Sequence, residues 1–112
     1  MPSQREKILV VDDELIIREL LHDLLTGEGF AVEMSPDGEA ALNLIMEDNE
    51  IVVLFTDIIM PKMDGITLIH KAKEINSDIV PIIMTGYATI ETARAAIKEG
   101  AYDYVLKPFN IA

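Results

Sequence analysis

Four short apolar runs in the chain each end in residues that can carry chemistry. The first run ends in Asp12 and Asp13, another in Asp57, a third in Thr85 and the last in Lys107. A divalent cation takes hard oxygen ligands, and phosphate oxygens take hydrogen-bond donors and positive charge. Three carboxylates, a hydroxyl and an ammonium therefore suit a divalent cation held together with a phosphoryl group.

Most of these residues also have a simpler explanation when taken alone. Asp13 can cap the helix that follows it, Asp57 can be an ordinary turn residue, Thr85 can mark a strand end and Lys107 can be a solvated surface lysine. Asp12 is harder to explain in this way, because adjacent carboxylates at the end of a buried strand repel each other unless a cation is present. Their shared position after apolar runs favours one common site.

The apolar runs predict strands of a parallel sheet. Continuous apolar stretches of this length are typical of strands that are buried on both faces. The predicted strands are Ile8–Val11, Ile51–Phe55, Ile79–Met84 and Tyr104–Leu106, with Phe30–Met34 as an alternating strand at a sheet edge. Pro81 weakens the prediction for its strand because proline removes a ladder donor.

The segments between these strands have the apolar period of helices. The first predicted helix spans Glu14–Thr26, and the second starts at the signal Ser35-Pro36. A third carries Ile66, Ile69, Ala72 and Ile75 on one side, and a fourth spans 88–99. Strands and helices alternate, which predicts an α/β doubly wound sheet with right-handed crossovers. Ligands of such sheets bind beyond the carboxyl ends of the strands, where the candidate residues lie.

Length and composition exclude several classes of protein. The 112 residues predict one domain, and 9 Lys and Arg against 20 Asp and Glu give a net charge of −11. Such an acidic domain repels nucleic acid and anionic membrane surfaces. It has no cysteine and no stretch long enough for a signal peptide or a membrane helix, so we expect a cytoplasmic protein.

Four segments together resemble the receiver domain of two-component response regulators. They are Ile8-Leu9-Val10-Val11-Asp12-Asp13-Glu14, Phe55-Thr56-Asp57-Ile58-Ile59-Met60-Pro61-Lys62-Met63-Asp64-Gly65, Met84-Thr85-Gly86-Tyr87-Ala88 and Tyr104-Val105-Leu106-Lys107-Pro108-Phe109. The resemblance covers about 6–109 and implies a single receiver domain over 1–112. It also implies a flavodoxin-like, five-stranded parallel sheet in the order 2-1-3-4-5, with the chain ending at the start of a fifth helix.

The resemblance further assigns a role to each candidate residue. Asp57 is expected to accept the phosphoryl group, with Lys107 and Thr85 on the phosphate oxygens. Mg²⁺, or Mn²⁺ in its place, is expected on Asp12, Asp13, Asp57 and the backbone carbonyl of Ile59. Thr85 and Tyr104 are the expected switch pair, which changes the surface formed by the fourth helix, the fifth strand and the fifth helix.

The partners implied by the resemblance are a sensor histidine kinase or a histidine phosphotransfer protein as phosphodonor. An output domain in a longer chain or a separate effector would read the switched surface, and a phosphorylation-dependent homodimer is a further option. The implied chemistry is self-phosphorylation and slow autodephosphorylation, without an external substrate. Kinase docking is expected on Leu15, Ile17 or Leu21 of the first helix, unless a fifth helix covers that stripe.

Two other functions are alternatives, one with a similar set of residues and one with a similar architecture. An aspartyl-nucleophile, Mg²⁺-dependent phosphatase or phosphotransferase shares the aspartate, cation and lysine, but such enzymes usually carry a second acid where this chain has Ile59. A flavin-binding module needs a phosphate loop rich in serine, threonine or glycine after the first strand. Asp12-Asp13-Glu14 would repel that phosphate.

Overall fold

The computed structural model describes residues 6–85, 95, 98 and 103–106. In chain order, the elements are β1 (Lys7–Val11), α1 (Leu15–Gly27), β2 (Ala31–Ser35), α2 (Gly38–Glu47), β3 (Ile51–Asp57), α3 (Gly65–Ile75), β4 (Val80–Thr85) and β5 (Asp103–Leu106). Of the predicted fourth helix, 95 and 98 are helical, and the rest of 88–99 lies outside the described residues.

All five strands form one parallel sheet in the order β2-β1-β3-β4-β5. This order confirms the doubly wound, flavodoxin-like fold expected from the sequence. β1 and β3 lie next to each other, with Val11 the register partner of Thr56. The carboxyl ends of β1 and β3 are therefore level with each other, and the residues that follow them share one edge of the sheet.

Apolar side chains on the two faces of the sheet form two separate hydrophobic clusters. On one face, α2 and α3 pack over Leu9, Val11 and Leu54, which are completely buried. On the other face, α1 packs through Leu21 over Ile8 and Val10. Burial on both faces explains why these strands are continuously apolar.

Two of the three docking residues that the sequence suggested on α1 pack against the sheet instead. Leu21 is 2% exposed and Ile17 is half-buried against the same cluster, so neither belongs to a free docking stripe. Leu15 is exposed as expected, and the other exposed apolar side chains of α1 are Ile16, Leu20 and Leu24. Apolar residues surround about half of this helix, so the sequence alone does not select the buried side.

Two of three further details differ from the predictions. The N-cap of α2 is Asp37, whose carboxylate accepts a hydrogen bond from Ala40 N–H, whereas Ser35 ends β2. Ile75, at the end of α3, is exposed, whereas Leu68 is completely buried. Pro81 lies inside β4 despite its missing donor, since pairing with β5 begins only at the next residue. Within the described residues, no helix is long and apolar enough to cross a membrane.

Candidate functional site

Asp12 lies directly after β1 and is completely buried. Its carboxylate accepts a hydrogen bond of 2.9 Å from the backbone N–H of Glu14, and its carbonyl oxygen accepts one of 2.8 Å from the Arg18 guanidinium. Its own N–H donates to Ser35 O at the end of β2. These contacts fix both the backbone and the carboxylate of Asp12 at the edge of the sheet.

Asp13 is exposed and does not cap α1. The N-cap position belongs to Glu14, and no side chain accepts a capping hydrogen bond there. The simpler explanation for Asp13, that it is the helix cap, is therefore wrong. Its carboxylate lies instead on the same edge as that of Asp12.

Asp57 is the last residue of β3 and is 8% exposed. It is the register partner of Met84 on β4, whereas pairing with β1 stops one residue earlier, at Thr56. The Thr56 hydroxyl donates a 2.9 Å hydrogen bond to the Asp57 carbonyl oxygen. At Asp57, β3 is thus paired with β4 and no longer paired with β1, and the end of β1 is where Asp12 and Asp13 follow.

The structure brings these three aspartates together. One carboxylate oxygen from each of Asp12, Asp13 and Asp57 lies within 4.8 Å of the other two. At an effective dielectric constant of about 20, two unit charges about 5 Å apart repel by roughly 3 kcal/mol. A divalent cation with oxygen ligands offsets this repulsion, and the donor set is the one that Mg²⁺ takes in proteins. The cluster therefore fits the metal expected from the sequence.

The loop between β3 and α3 borders this cluster. Its ends are joined by a 2.7 Å hydrogen bond from Gly65 N–H to Ile58 O. Inside it, Met63 N–H donates to Pro61 O, and Lys62 between them has a φ of 72°. The side chain of Ile59, whose carbonyl is an expected metal ligand, is 61% exposed.

The remaining predicted site residues lie in β4 and β5 or directly after β5 in the sequence. β4 ends at Thr85 and β5 at Leu106, and these two residues are register partners, so both strands end at the same level. Tyr104 is part of β5 and is the register partner of Ile83. The side chains of Thr85 and Tyr104, and all of Lys107, lie outside the described residues.

Two residues of the site were not singled out by the sequence. Arg18 contacts the carbonyl of Asp12 from the first turn of α1, and a lone arginine on a helix carries no signal for such a contact. Gly65 packs against the backbone of Asp57, whereas in the sequence it is simply part of an Asp-Gly turn. His22 and His70 lie on helix surfaces, next to Asp23 and Glu74.

Similarity to known proteins covers nearly the whole chain. The family described as response regulator receiver domain matches residues 8–112. Regulatory protein AtoC of Escherichia coli strain K12 is 40% identical over 94% of this chain, and transcriptional regulatory protein ZraR of Klebsiella oxytoca is 39% identical over 98%. The chain spans about a quarter of the length of these relatives, 23% and 25%.

Solved structures agree in fold as well as in sequence. A receiver domain protein from Clostridium thermocellum has a TM-score of 0.88 at 36% identity, with 94% of this chain and 84% of that one covered. A response regulator from Burkholderia pseudomallei, solved with a phosphorylated aspartic acid, a calcium ion and citrate, has a TM-score of 0.87 at 30% identity, with 95% and 62% covered. Sequence and fold thus lead to the same group of proteins, and the chain belongs to the response regulator receiver domain family.

Proposed function

We propose that the chain is a phosphorylation switch in which Asp57 accepts a phosphoryl group from a phosphohistidine of a sensor kinase or a phosphotransfer protein. The observation that carries this proposal is the cluster of Asp12, Asp13 and Asp57 at the carboxyl ends of β1 and β3. A carboxylate oxygen of Asp57 attacks phosphorus, an O–P bond forms, the P–N bond of the donor breaks, and the leaving imidazole takes up a proton.

The other site residues prepare Asp57 for this step. Asp12, Asp13, Asp57 and the carbonyl of Ile59 would hold Mg²⁺ or Mn²⁺, which supplies positive charge for the phosphoryl oxygens. Arg18 and the N–H of Glu14 hold Asp12 in place. Lys107 would pair with a phosphate oxygen. The exposed apolar side chain of Ile59 leaves no second acid two residues after Asp57, which argues against the phosphatase alternative.

Phosphorylation is tested with acetyl phosphate and intact-mass measurement. In the presence of Mg²⁺ we expect one phosphoryl adduct on the wild type and none on Asp57→Asn, and Mn²⁺ is expected to replace Mg²⁺. Chelation by EDTA should prevent the adduct. A wild type without adduct, or an equal adduct on Asp57→Asn, would contradict the proposal.

The switch would act through the hydroxyl of Thr85 and the ring of Tyr104. A phosphate on Asp57 gains a hydrogen bond from Thr85 only when the loop after β4 closes, and closure leaves space for the ring of Tyr104. The surface around β5 then changes and is read by an output domain, an effector or a second copy. Unchanged phosphorylation-dependent partner binding in the Thr85→Ala, Tyr104→Ala double variant would rule out this coupling. The related NtrC4 receiver domain, 37% identical, was solved as a beryllofluoride-activated dimer.

The kinase would dock on the exposed apolar stripe of α1, formed by Ile16, Leu20 and Leu24. These residues are spaced by four and lie on one side of a helix that begins beside Asp13. We expect Ile16→Ser, at a side chain that is 79% exposed, to slow transfer from the cognate kinase and to leave the reaction with acetyl phosphate unchanged. Met46→Ser, at an exposed apolar residue of α2 on the other face of the sheet, is the matched control. Unimpaired transfer to Ile16→Ser would show that the kinase does not dock on this stripe.

A further inference from the structure

The first residue of α3 lies in direct contact with the backbone of Asp57. Gly65 is buried, and a Cβ placed on it would overlap the carbonyl oxygen of Asp57 and lie 2.9 Å from the carbonyl carbon. It would also lie 3.0 Å from Cα of Ile58, whose carbonyl oxygen accepts a hydrogen bond from Gly65 N–H. The backbone at the start of α3 and the backbone at the end of β3 are therefore in contact, without space for a side chain at position 65.

The other glycines of the described segment are in different surroundings. Gly27 and Gly29 have no atom within 4 Å of the Cβ position. At Gly38, the Cβ position lies 2.7 Å from Sδ and 3.1 Å from both Cβ and Cγ of Met63, all of them side-chain atoms. At Gly65 the neighbouring atoms are backbone, so a methyl group there requires that a strand end or a helix moves.

The packing around Gly65 determines which of the two moves. After Gly65, α3 packs into the core through Leu68, Ile69 and Ala72, which are all completely buried. At the end of β3, pairing with β1 stops at Thr56, and Asp57 continues the pairing with β4. A methyl group on residue 65 would therefore displace the peptide between Asp57 and Ile58.

We propose that Gly65 is a positioning residue, which sets the carboxylate of Asp57 at its place beside Asp12 and Asp13. This inference rests on the proposed function and adds a requirement to it: the first residue of α3 must have no side chain. The same peptide leads to Ile59, whose carbonyl is an expected metal ligand, so displacement would affect two ligands of the cation. Misplacement of a reacting group by about 1 Å can cost roughly 100-fold in rate.

The test compares Gly65→Ala with Leu68→Ala, a variant of the same helix that opens a cavity in the hydrophobic core. We measure the Mg²⁺ dissociation constant by calorimetry, the rate of phosphorylation by acetyl phosphate at saturating Mg²⁺, and the free energy of unfolding in urea. Gly65→Ala should weaken Mg²⁺ binding several-fold and slow phosphorylation by about 10- to 100-fold. Leu68→Ala should lose stability and keep both site properties. Gly27→Ala, where a Cβ meets no atom within 4 Å, should also keep both.

The outcomes separate positioning from stability. Wild-type Mg²⁺ affinity and rate in folded Gly65→Ala would overturn the inference, and so would an equal impairment in Leu68→Ala. If Gly65→Ala is unfolded in buffer, the same titrations are made in trimethylamine oxide, which strengthens folding. If the wild type itself takes no phosphoryl group, the proposed function fails, and the Mg²⁺ titrations still decide whether Gly65 positions Asp57.

Discussion

Lys62 has an unusual backbone conformation in the loop that follows Asp57. Its φ of 72° lies in the left-handed region, and Met63 N–H donates to Pro61 O across it, which makes Lys62 the centre of a γ-turn. For a residue with a Cβ, this region costs about 1–2 kcal/mol. Strained backbone is concentrated at functional sites, and this strain lies in the loop that carries Ile59.

Replacing Lys62 by glycine should relieve this strain. We expect Lys62→Gly to raise the free energy of unfolding by about 1 kcal/mol, because glycine adopts positive φ without steric cost. Urea denaturation measures the change. Lys71→Gly, at an exposed position inside α3, should instead lower it by about 1 kcal/mol. A loss of stability in both variants would mean that the turn is not strained.

The helices α1, α2 and α3 differ in how their first turns are capped. α2 and α3 begin after aspartates, Asp37 and Asp64, whose carboxylates accept hydrogen bonds from Ala40 N–H and Thr67 N–H. α1 begins after Glu14 without a side-chain cap, and the nearby carboxylate of Asp12 accepts the N–H of Glu14 instead. α1, which begins beside the aspartate cluster, thus uses neither Asp12 nor Asp13 as its N-cap, whereas α2 and α3, on the other face of the sheet, begin with aspartate caps.

The cap of α2 can be tested by its contribution to stability. Asp37→Ala should lower the free energy of unfolding by about 1 kcal/mol, because Ala40 N–H loses its acceptor. Glu39→Ala removes the same charge from the same helix end without removing a capping hydrogen bond, and should cost less. Equal losses in urea denaturation would show that charge, and not the hydrogen bond, stabilises this helix start.

The sequence predicts the elements of this fold better than their contacts. The strands and their polar ends follow from continuous apolar runs, so the meeting of Asp12, Asp13 and Asp57 was predictable. The buried side of α1 was not, because Ile16 and Ile17 are equally apolar and only the position of the sheet separates them. The contact of Gly65 with Asp57 was also unpredictable, since it depends on how closely a helix approaches a strand in three dimensions.

At the scale of the whole molecule, Lys7 joins three parts of the chain at the amino end of the sheet, opposite the aspartate cluster. Its ammonium lies 2.7 Å from Asp48, between α2 and β3, and 3.5 Å from Glu33 on β2. The hydrogen bond from Lys7, together with one from the Glu50 N–H, lowers the pKa of Asp48. The same hydrogen bond with Asp48 raises the pKa of Lys7.

These shifts predict a specific pH dependence of stability. Because the pKa of folded Asp48 is lowered, its contribution is present above the unfolded pKa of about 4 and is lost as pH falls through the folded value. The raised pKa of Lys7 means that its contribution is lost only above about pH 10. The stability difference between wild type and Asp48→Asn should therefore be constant from about pH 5 to 9 and shrink below about pH 4.

Urea denaturation at several pH values measures this difference. Glu19→Gln, on the exposed surface of α1, removes one negative charge from a chain of net charge −11 and controls for general repulsion. A difference between wild type and Asp48→Asn that stays unchanged at pH 3 would contradict the role of the Lys7–Asp48 pair.

Asp57 as the phosphoryl acceptor is tested most directly by locating the new bond in the chain. After incubation with acetyl phosphate and Mg²⁺, borohydride reduces an aspartyl phosphate to homoserine with release of phosphate, and tandem mass spectrometry of peptides identifies the position. We predict homoserine at position 57, and none when EDTA is present. Homoserine at position 12 or 13, or a phosphoryl group retained on His22 or His70, would contradict the proposed function.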